Sequence, residues 1–307
     1  MYRLSNQRFV SLMSDAGFKA VFRHEANKEL LIGLLNFLLP KEAEVEDIVE
    51  YCDREQMVES EEEKRTTLDL ICKGKDGSFY IVEVQKRQYS SFQKRVKFYS
   101  CRRYGSQLMR GGKYDSLKPV YSISILNYAM PHKDESQWDT DHFISCYRDM
   151  EIRTQELAEP TIITTFVETA RFTKTVEECM SELDCLIYWF KHSGELDMIP
   201  EIIKKSSYTS KLAHASELAA MSMNQKIQYD SDMMNELDIE WQKSEERREG
   251  LEQGLKQGLE QGRQEGLDEG REEKALEIAK KLLLLGLSDE QVSTATGLSV
   301  EQVQKLR

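Results

Sequence analysis

Long apolar runs are missing from this chain of 307 residues, and their absence removes the first class of functions. The longest, Leu30 to Leu39, is interrupted by Gly33 and Asn36 and falls short of the roughly 20 residues that span a bilayer as a helix. The start, Met1-Tyr2-Arg3-Leu4-Ser5-Asn6, lacks the apolar centre of a secretory signal, so a cytoplasmic protein with no membrane partner is expected. Histidine is scarce as well: five residues lie scattered with no helical pair, which argues against zinc. The six cysteines (52, 72, 101, 146, 179 and 185) form no Cys-x-x-Cys pair, so reduced, packed thiols are expected.

What the chain does have is charge, unevenly spread. The net charge is −12, yet residues 64–118 carry 14 Lys/Arg against four acids (Asp69, Asp76, Glu83, Asp115), a local +10 that leaves −22 for the remainder. Asp69 sits in Lys64-Arg65-Thr66-Thr67-Leu68-Asp69-Leu70-Ile71-Cys72-Lys73, and Glu83-Val84-Gln85-Lys86 follows after one tight turn. Two acids central to a basic surface suit a divalent ion facing a polyanion. Phosphodiester hydrolysis needs a positioned nucleophile and neutralised phosphate oxygens, and Mg²⁺ or Mn²⁺ supplies both. Asp69 and Glu83 are the candidate ligands, with the Val84 carbonyl as a third, and Gln85 is placed to orient water. Lys86, on the opposite face by strand alternation, and Lys64 are further cations. Lys86, Lys94, Arg95, Arg102 and Arg103 are candidate phosphate contacts, which would make binding steeply salt-sensitive. The competing reading makes the acids ordinary surface charges and the cations a solvated helix face.

Periodicity supplies the frame. Phe18 to Leu39 reads as helical, with Leu30, Leu31, Leu34, Leu35 and Leu38 at helical spacing and Pro40 as the stop. Ile48 to Val58 has short-strand character before the acidic cluster Glu59, Glu61, Glu62 and Glu63. Strand 64–73 puts Thr67, Asp69 and Ile71 on one side, Lys75-Asp76-Gly77 makes a hairpin turn, and strand 78–86 puts Ile81, Glu83 and Gln85 on one face. Ser90 to Arg110 reads as a helix with Phe92, Val96 and Tyr99 as its apolar stripe, ended by Gly111-Gly112. Strands follow at Val120–Tyr128, His142–Tyr147 and Thr161–Val167, and from Val176 the chain reads as helical, with Leu183, Leu186, Ile187 and Phe190 as one core face. The order α-β-β-β-α-β indicates a mixed α/β core.

The last sixty residues differ in kind. Gly250, Gly254, Gly258, Gly262, Gly266 and Gly270 recur every fourth residue. Each costs a helix about 1 kcal/mol relative to Ala, so the stretch is either a polar linker or a weak helix whose glycine stripe admits a second helix. Ala275 to Leu285 reads as an apolar helix ended by Gly286. Ser288-Asp289-Glu290-Gln291 and Ser299-Val300-Glu301-Gln302 are two capping boxes flanking Gly297, the pattern of a helix-turn-helix unit. That unit suits DNA contact, or packing and homo-oligomer formation. The expected organisation is a core over 1–172, a helical extension over 173–245, the glycine-spaced segment over 246–273 and the small tail over 274–307.

These elements together resemble the PD-(D/E)XK nuclease family transposases, relatives of bacterial recombination-promoting nucleases. The resemblance rests on Asp15-Ala16-Gly17-Phe18-Lys19-Ala20-Val21-Phe22, Asn27-Lys28-Glu29-Leu30-Leu31, Leu34-Leu35-Asn36-Phe37-Leu38-Leu39, Leu68-Asp69-Leu70, Ile81-Val82-Glu83-Val84-Gln85 and Arg95-Val96-Lys97-Phe98-Tyr99. Gly111-Gly112-Lys113-Tyr114-Asp115-Ser116-Leu117 and Pro119-Val120-Tyr121-Ser122-Ile123 extend it, as do the spaced glycines and the tail. It implies a restriction-endonuclease-like core, a mixed sheet flanked by helices with an α-helical C-terminal extension, and Mg²⁺- or Mn²⁺-dependent DNA cleavage. It assigns Asp69 and Glu83 to the metal and puts Arg95 and Tyr99 near the scissile phosphate. Asp15 and Lys19 match its amino-terminal motif as supporting residues. Gln85 stands where the general signature has lysine. No Asp-Asp-Glu integrase spacing is evident, so cleavage in support of recombination is expected rather than transposition itself.

Overall fold

The computed structural model describes residues 7–52, 69–88, 91–108 and 110–306. They form two compact units, Met1–Glu236 and Leu237–Arg307. The acidic cluster at 59–63, Lys64 and the parts of the expected strands over 53–58 and 64–68 lie outside the described residues.

The first unit is built on one six-stranded sheet: β1 (Ile48–Tyr51), β2 (Leu70–Gly74), β3 (Phe79–Gln85), β4 (Val120–Leu126), β5 (Ile144–Tyr147) and β6 (Ile162–Glu168). The spatial order is β1-β2-β3-β4-β6-β5. β1, β2 and β3 form an antiparallel meander, β3, β4 and β6 run parallel, and β5 returns antiparallel to β6. Between β2 and β3 the turn requires Gly77, whose φ of +89° is open to glycine and strained for other residues. β4 and β6 are buried along their whole lengths, as expected of strands covered on both faces.

Helices cover the two faces. Tyr80, Val82, Val84, Tyr121, Ile123 and Ile125 enter the main core with α1 (Asp15–Phe22), α2 (Lys28–Leu38) and α4 (Glu182–His192). Phe22 of α1 stacks on Phe190 of α4 at 5.9 Å. On the other face α3 (Phe92–Gly105) brings Phe92 and Val96 onto Leu126 and Phe166, and Tyr99 onto a cluster of Ile71, Phe79, Ile81 and Val120. The sequence signals placed these faces correctly, but several boundaries differ. β4 stops at Leu126, β5 starts at Ile144, and the segment from Val176, expected to be helical throughout, is broken into separate helices. The helix expected over Phe18–Leu39 is broken into α1 and α2 by a 3₁₀ turn at Glu25–Asn27. There the Asn27 side chain donates to the Val21 carbonyl at 2.8 Å, and such local side-chain bonding competes with helix continuation. The helix expected to reach Arg110 ends at Gly105, where the Ser106 hydroxyl turns back to the Arg103 carbonyl. The unit continues through α5 (Glu201–Lys205), α6 (Ser207–Ala215) and the first turns of α7 (Met223–Leu284).

The second unit contains the rest of α7, α8 (Asp289–Thr296) and α9 (Val300–Gln304) around a small core of Ala279, Val292, Leu298 and Val303. Both expected capping boxes form, at Ser288 with Gln291 and at Ser299 with Gln302. Gly297 closes α8 in the left-handed conformation with φ of +73°. The whole glycine-spaced segment lies within α7, so of the two readings the helix is the one observed.

Candidate active site

Strand register decides whether the two acids can act together. Leu70 opposes Val82 and Ile71 opposes Ile81. Continued by one residue, the ladder sets Asp69 opposite Glu83, on the face shared by Ile71, Ile81 and Gln85. Asp69 leaves the ladder, and its Oδ2 accepts the Val84 N–H at 2.7 Å. The side chain thus replaces a backbone partner, which fixes the carboxylate against β3. Both acids are more than nine-tenths buried.

The surroundings of the pair are unequal. Glu83 and Gln85 both accept hydrogen bonds from the Arg95 guanidinium on α3, the latter at 2.9 Å. Beside Asp69 stands Asp15, in the first turn of α1, whose carboxyl is paired with Lys19 one turn on. Asp15 Oδ1 is buried and has no hydrogen-bond partner among the described residues. Two facing carboxylates are both acceptors, so only a shared proton or a cation reconciles them.

Protonation follows from this arrangement. Burial pushes the Asp69 carboxyl well above the usual carboxylate range, and the facing Asp15 raises it further against the opposing pull of the Val84 N–H. Burial also raises Glu83, although the Arg95 charge and hydrogen bond draw it down while Asp15 adds to the rise. Ser124 lies beside Glu83 in the β3–β4 register. Its Oγ is likewise buried without a partner among the described residues.

The donors gathered here are oxygens, which suits a hard divalent ion. Among the described residues no three His, Cys, Asp or Glu side chains are arranged to hold an ion by themselves. The side chains that fit such an ion are therefore a pair of carboxylates, with the remaining places left to carbonyl and water oxygens, as Mg²⁺ commonly accepts.

The structure brings together six residues singled out in the sequence: Asp15, Lys19, Asp69, Glu83, Gln85 and Arg95. The other candidates have surroundings of their own. Lys94 is exposed on α3, and Tyr99 packs on the Ile71–Phe79 cluster. Arg103 lies 3.8 Å above the Phe79 ring and reaches the Cys52 Sγ at 3.7 Å. Lys86 and Arg102 are partly buried. A polar cluster at the end of β6 escaped sequence reasoning. Glu168 is fully buried, accepts from the Met130 N–H at 2.7 Å and Arg171 Nε at 2.8 Å, and lies 2.6 Å from His132 Nε2. No spacing in the sequence announces it, because its members come from separate segments.

The sequence profile described as PD-(D/E)XK nuclease family transposase matches residues 12–246. A second, described as the C-terminal HTH domain of the Rpn/YhgA-like nuclease family, matches residues 272–307. No curated protein and no solved structure matches the chain. No helix among the described residues is long and apolar enough to cross a membrane.

Proposed function

The chain belongs to the PD-(D/E)XK nuclease family transposases, and from that premise we propose that it is a divalent-metal-dependent DNA endonuclease serving recombination or mobile-element activity. One observation carries the reading: Asp69 and Glu83 lie buried on one face of a hairpin, with a third carboxyl, Asp15, set against the first. That concentration of negative charge is costly unless a cation shares it.

Asp69 and Glu83 would hold Mg²⁺ or Mn²⁺, with the Val84 carbonyl as a further oxygen donor. When bound, such an ion acidifies a water and offsets charge on the phosphate oxygens. Gln85 orients the attacking water through its amide, its Oε1 being anchored by Arg95. The positive charge that a lysine would bring to position 85 comes instead from Arg95 and Lys19, one on each side of the acids. Lys86 after β3 and Lys94, Tyr99, Arg102 and Arg103 on α3 extend the DNA contact, and the C-terminal helix-turn-helix unit adds a second DNA-binding element.

A second reading has an observation of its own. Arg95 already neutralises Glu83 and engages Gln85, as it would in a DNA-binding protein without turnover. Nicking of supercoiled plasmid in Mg²⁺ or Mn²⁺ separates the two. The nuclease reading expects cutting by the wild type and none by Asp69→Ala, whereas equal cutting by both would remove its support.

A further inference from the structure

Beyond the acids, α1 borders a cleft of about 560 Å³. Its walls include Lys19 from α1, Arg23 at its C-cap, His24, Tyr51 at the end of β1, and Gln225 and Gln228 from the first turns of α7. β1 runs parallel to β3 through the antiparallel β2, and Tyr51 pairs with Cys72, three residues along β2 from Asp69. Lys19 joins the two places: it lines the cleft and pairs with Asp15, whose carboxyl faces Asp69.

We propose that this cleft is a nucleotide subsite, which takes one unit of a single DNA strand beside the phosphate held at Asp69 and Glu83. The inference rests on the nuclease reading for the position of that phosphate. Asp15, Lys19 and Arg23 recur every fourth residue on α1 and its cap, so they stand about 6 Å apart along its axis on one face. Lys19 and Arg23 thus set two cations in a row that leads away from the carboxyl facing Asp69. The only acid lining the cleft among the described residues is Asp232, which accepts the Gln228 side-chain amide at 2.9 Å. The lining therefore favours an anionic ligand.

Size and chemistry narrow the class. About 560 Å³ lies within the range of roughly 300–1,000 Å³ typical of small-ligand pockets, room for a nucleotide and none for a duplex. Tyr51 offers a ring of the kind on which bases stack. Its hydroxyl is buried with no hydrogen-bond partner among the described residues. Gln225 and Gln228 present amides that can donate to and accept from a base edge.

The test uses the full-length protein with Ca²⁺ in place of Mg²⁺ to hold back cleavage. Binding of a fluorescent single-stranded oligodeoxynucleotide is measured for wild type and for the double variant Arg23→Ala/Gln228→Ala, both exposed positions. The proposal expects at least a tenfold loss of affinity in the variant, with its Mn²⁺-induced thermal shift unchanged. Photo-crosslinking of a 5-iodouracil-containing strand should mark peptides spanning 16–24 or 225–232. Unchanged affinity, no strand binding by wild type, or crosslinks confined to α3 would each overturn it. If affinity falls and crosslinks map as expected while no protein cleaves plasmid in Mg²⁺, the subsite stands and the nuclease reading fails.

Discussion

At the scale of single residues, the account turns on Asp69. A carboxyl whose pKa is raised on folding binds more protons in the folded than in the unfolded chain. Stability then falls as pH rises from the ordinary carboxylate range through the raised value, and the cost is fully present above it. Burial and the facing Asp15 raise Asp69 in this way. Asp69→Asn keeps an oxygen for the Val84 N–H and removes the charge. In metal-free buffer at pH 8 this variant should melt a few degrees above wild type, a gain on the order of 1 kcal/mol. The gap should close below about pH 4, where the carboxyl is protonated in both states. Saturating Mn²⁺ should reverse the order, because an ion that binds only the folded wild type stabilises it by about 2.7 kcal/mol at a hundredfold excess over Kd. Thermal melts at the two pH values, with and without metal, check both signs. An Asn variant that melts lower at pH 8 without metal would contradict the crowded-carboxylate account.

At the scale of elements, legibility tracked the range over which each signal acts. The β2–β3 hairpin was readable because alternation and a turn glycine are local, and the same alternation placed Glu83 and Gln85 on one face before any pairing was known. The caps at Ser288 and Ser299 were readable because Ser-x-x-Gln binds within a single turn. The break between α1 and α2 was not, since the apolar residues on either side fit one helix and the polar stretch 23–29 fits an exposed turn of it equally well. The meeting of Asp15 with Asp69 was also hidden: no periodicity records which helix end reaches which strand. α7 yields the prediction at this scale. Nothing lies within 4 Å of where a Cβ would stand at Gly250, Gly254, Gly258, Gly262, Gly266 or Gly270. Leu251, Leu255 and Leu259 are exposed beside them. Each Gly→Ala there should therefore stabilise the helix by about 1 kcal/mol, read as increased helicity and a higher melting point. A drop in stability instead would mean that a second helix uses the glycine stripe, and the change should then depend on protein concentration.

At the scale of the whole molecule, the candidate site and the helix-turn-helix match fall in different units. Asp15, Lys19, Asp69, Glu83, Gln85 and Arg95 all belong to the first unit, and the helix-turn-helix match belongs to the second. Removing 237–307 should leave metal-dependent cleavage intact at saturating DNA while raising the DNA concentration required. The slope of log affinity against log salt should also flatten, by about 0.9 for each phosphate that the shortened protein no longer neutralises. Cleavage assays across DNA and salt concentrations check this, and an absence of turnover at saturating DNA would show that the first unit alone is an incomplete enzyme.

The most direct measurement of the central claim is a Mn²⁺ titration of supercoiled-plasmid cleavage by wild type beside Glu83→Ala, with metal binding followed on the same samples by thermal shift. The account predicts that the wild type binds the ion and nicks DNA over one concentration range. It predicts that the variant does neither, with at least a hundredfold fall in rate, the scale of removing one essential electrostatic group. Cleavage and metal-induced stabilisation that persist unchanged in Glu83→Ala would contradict it.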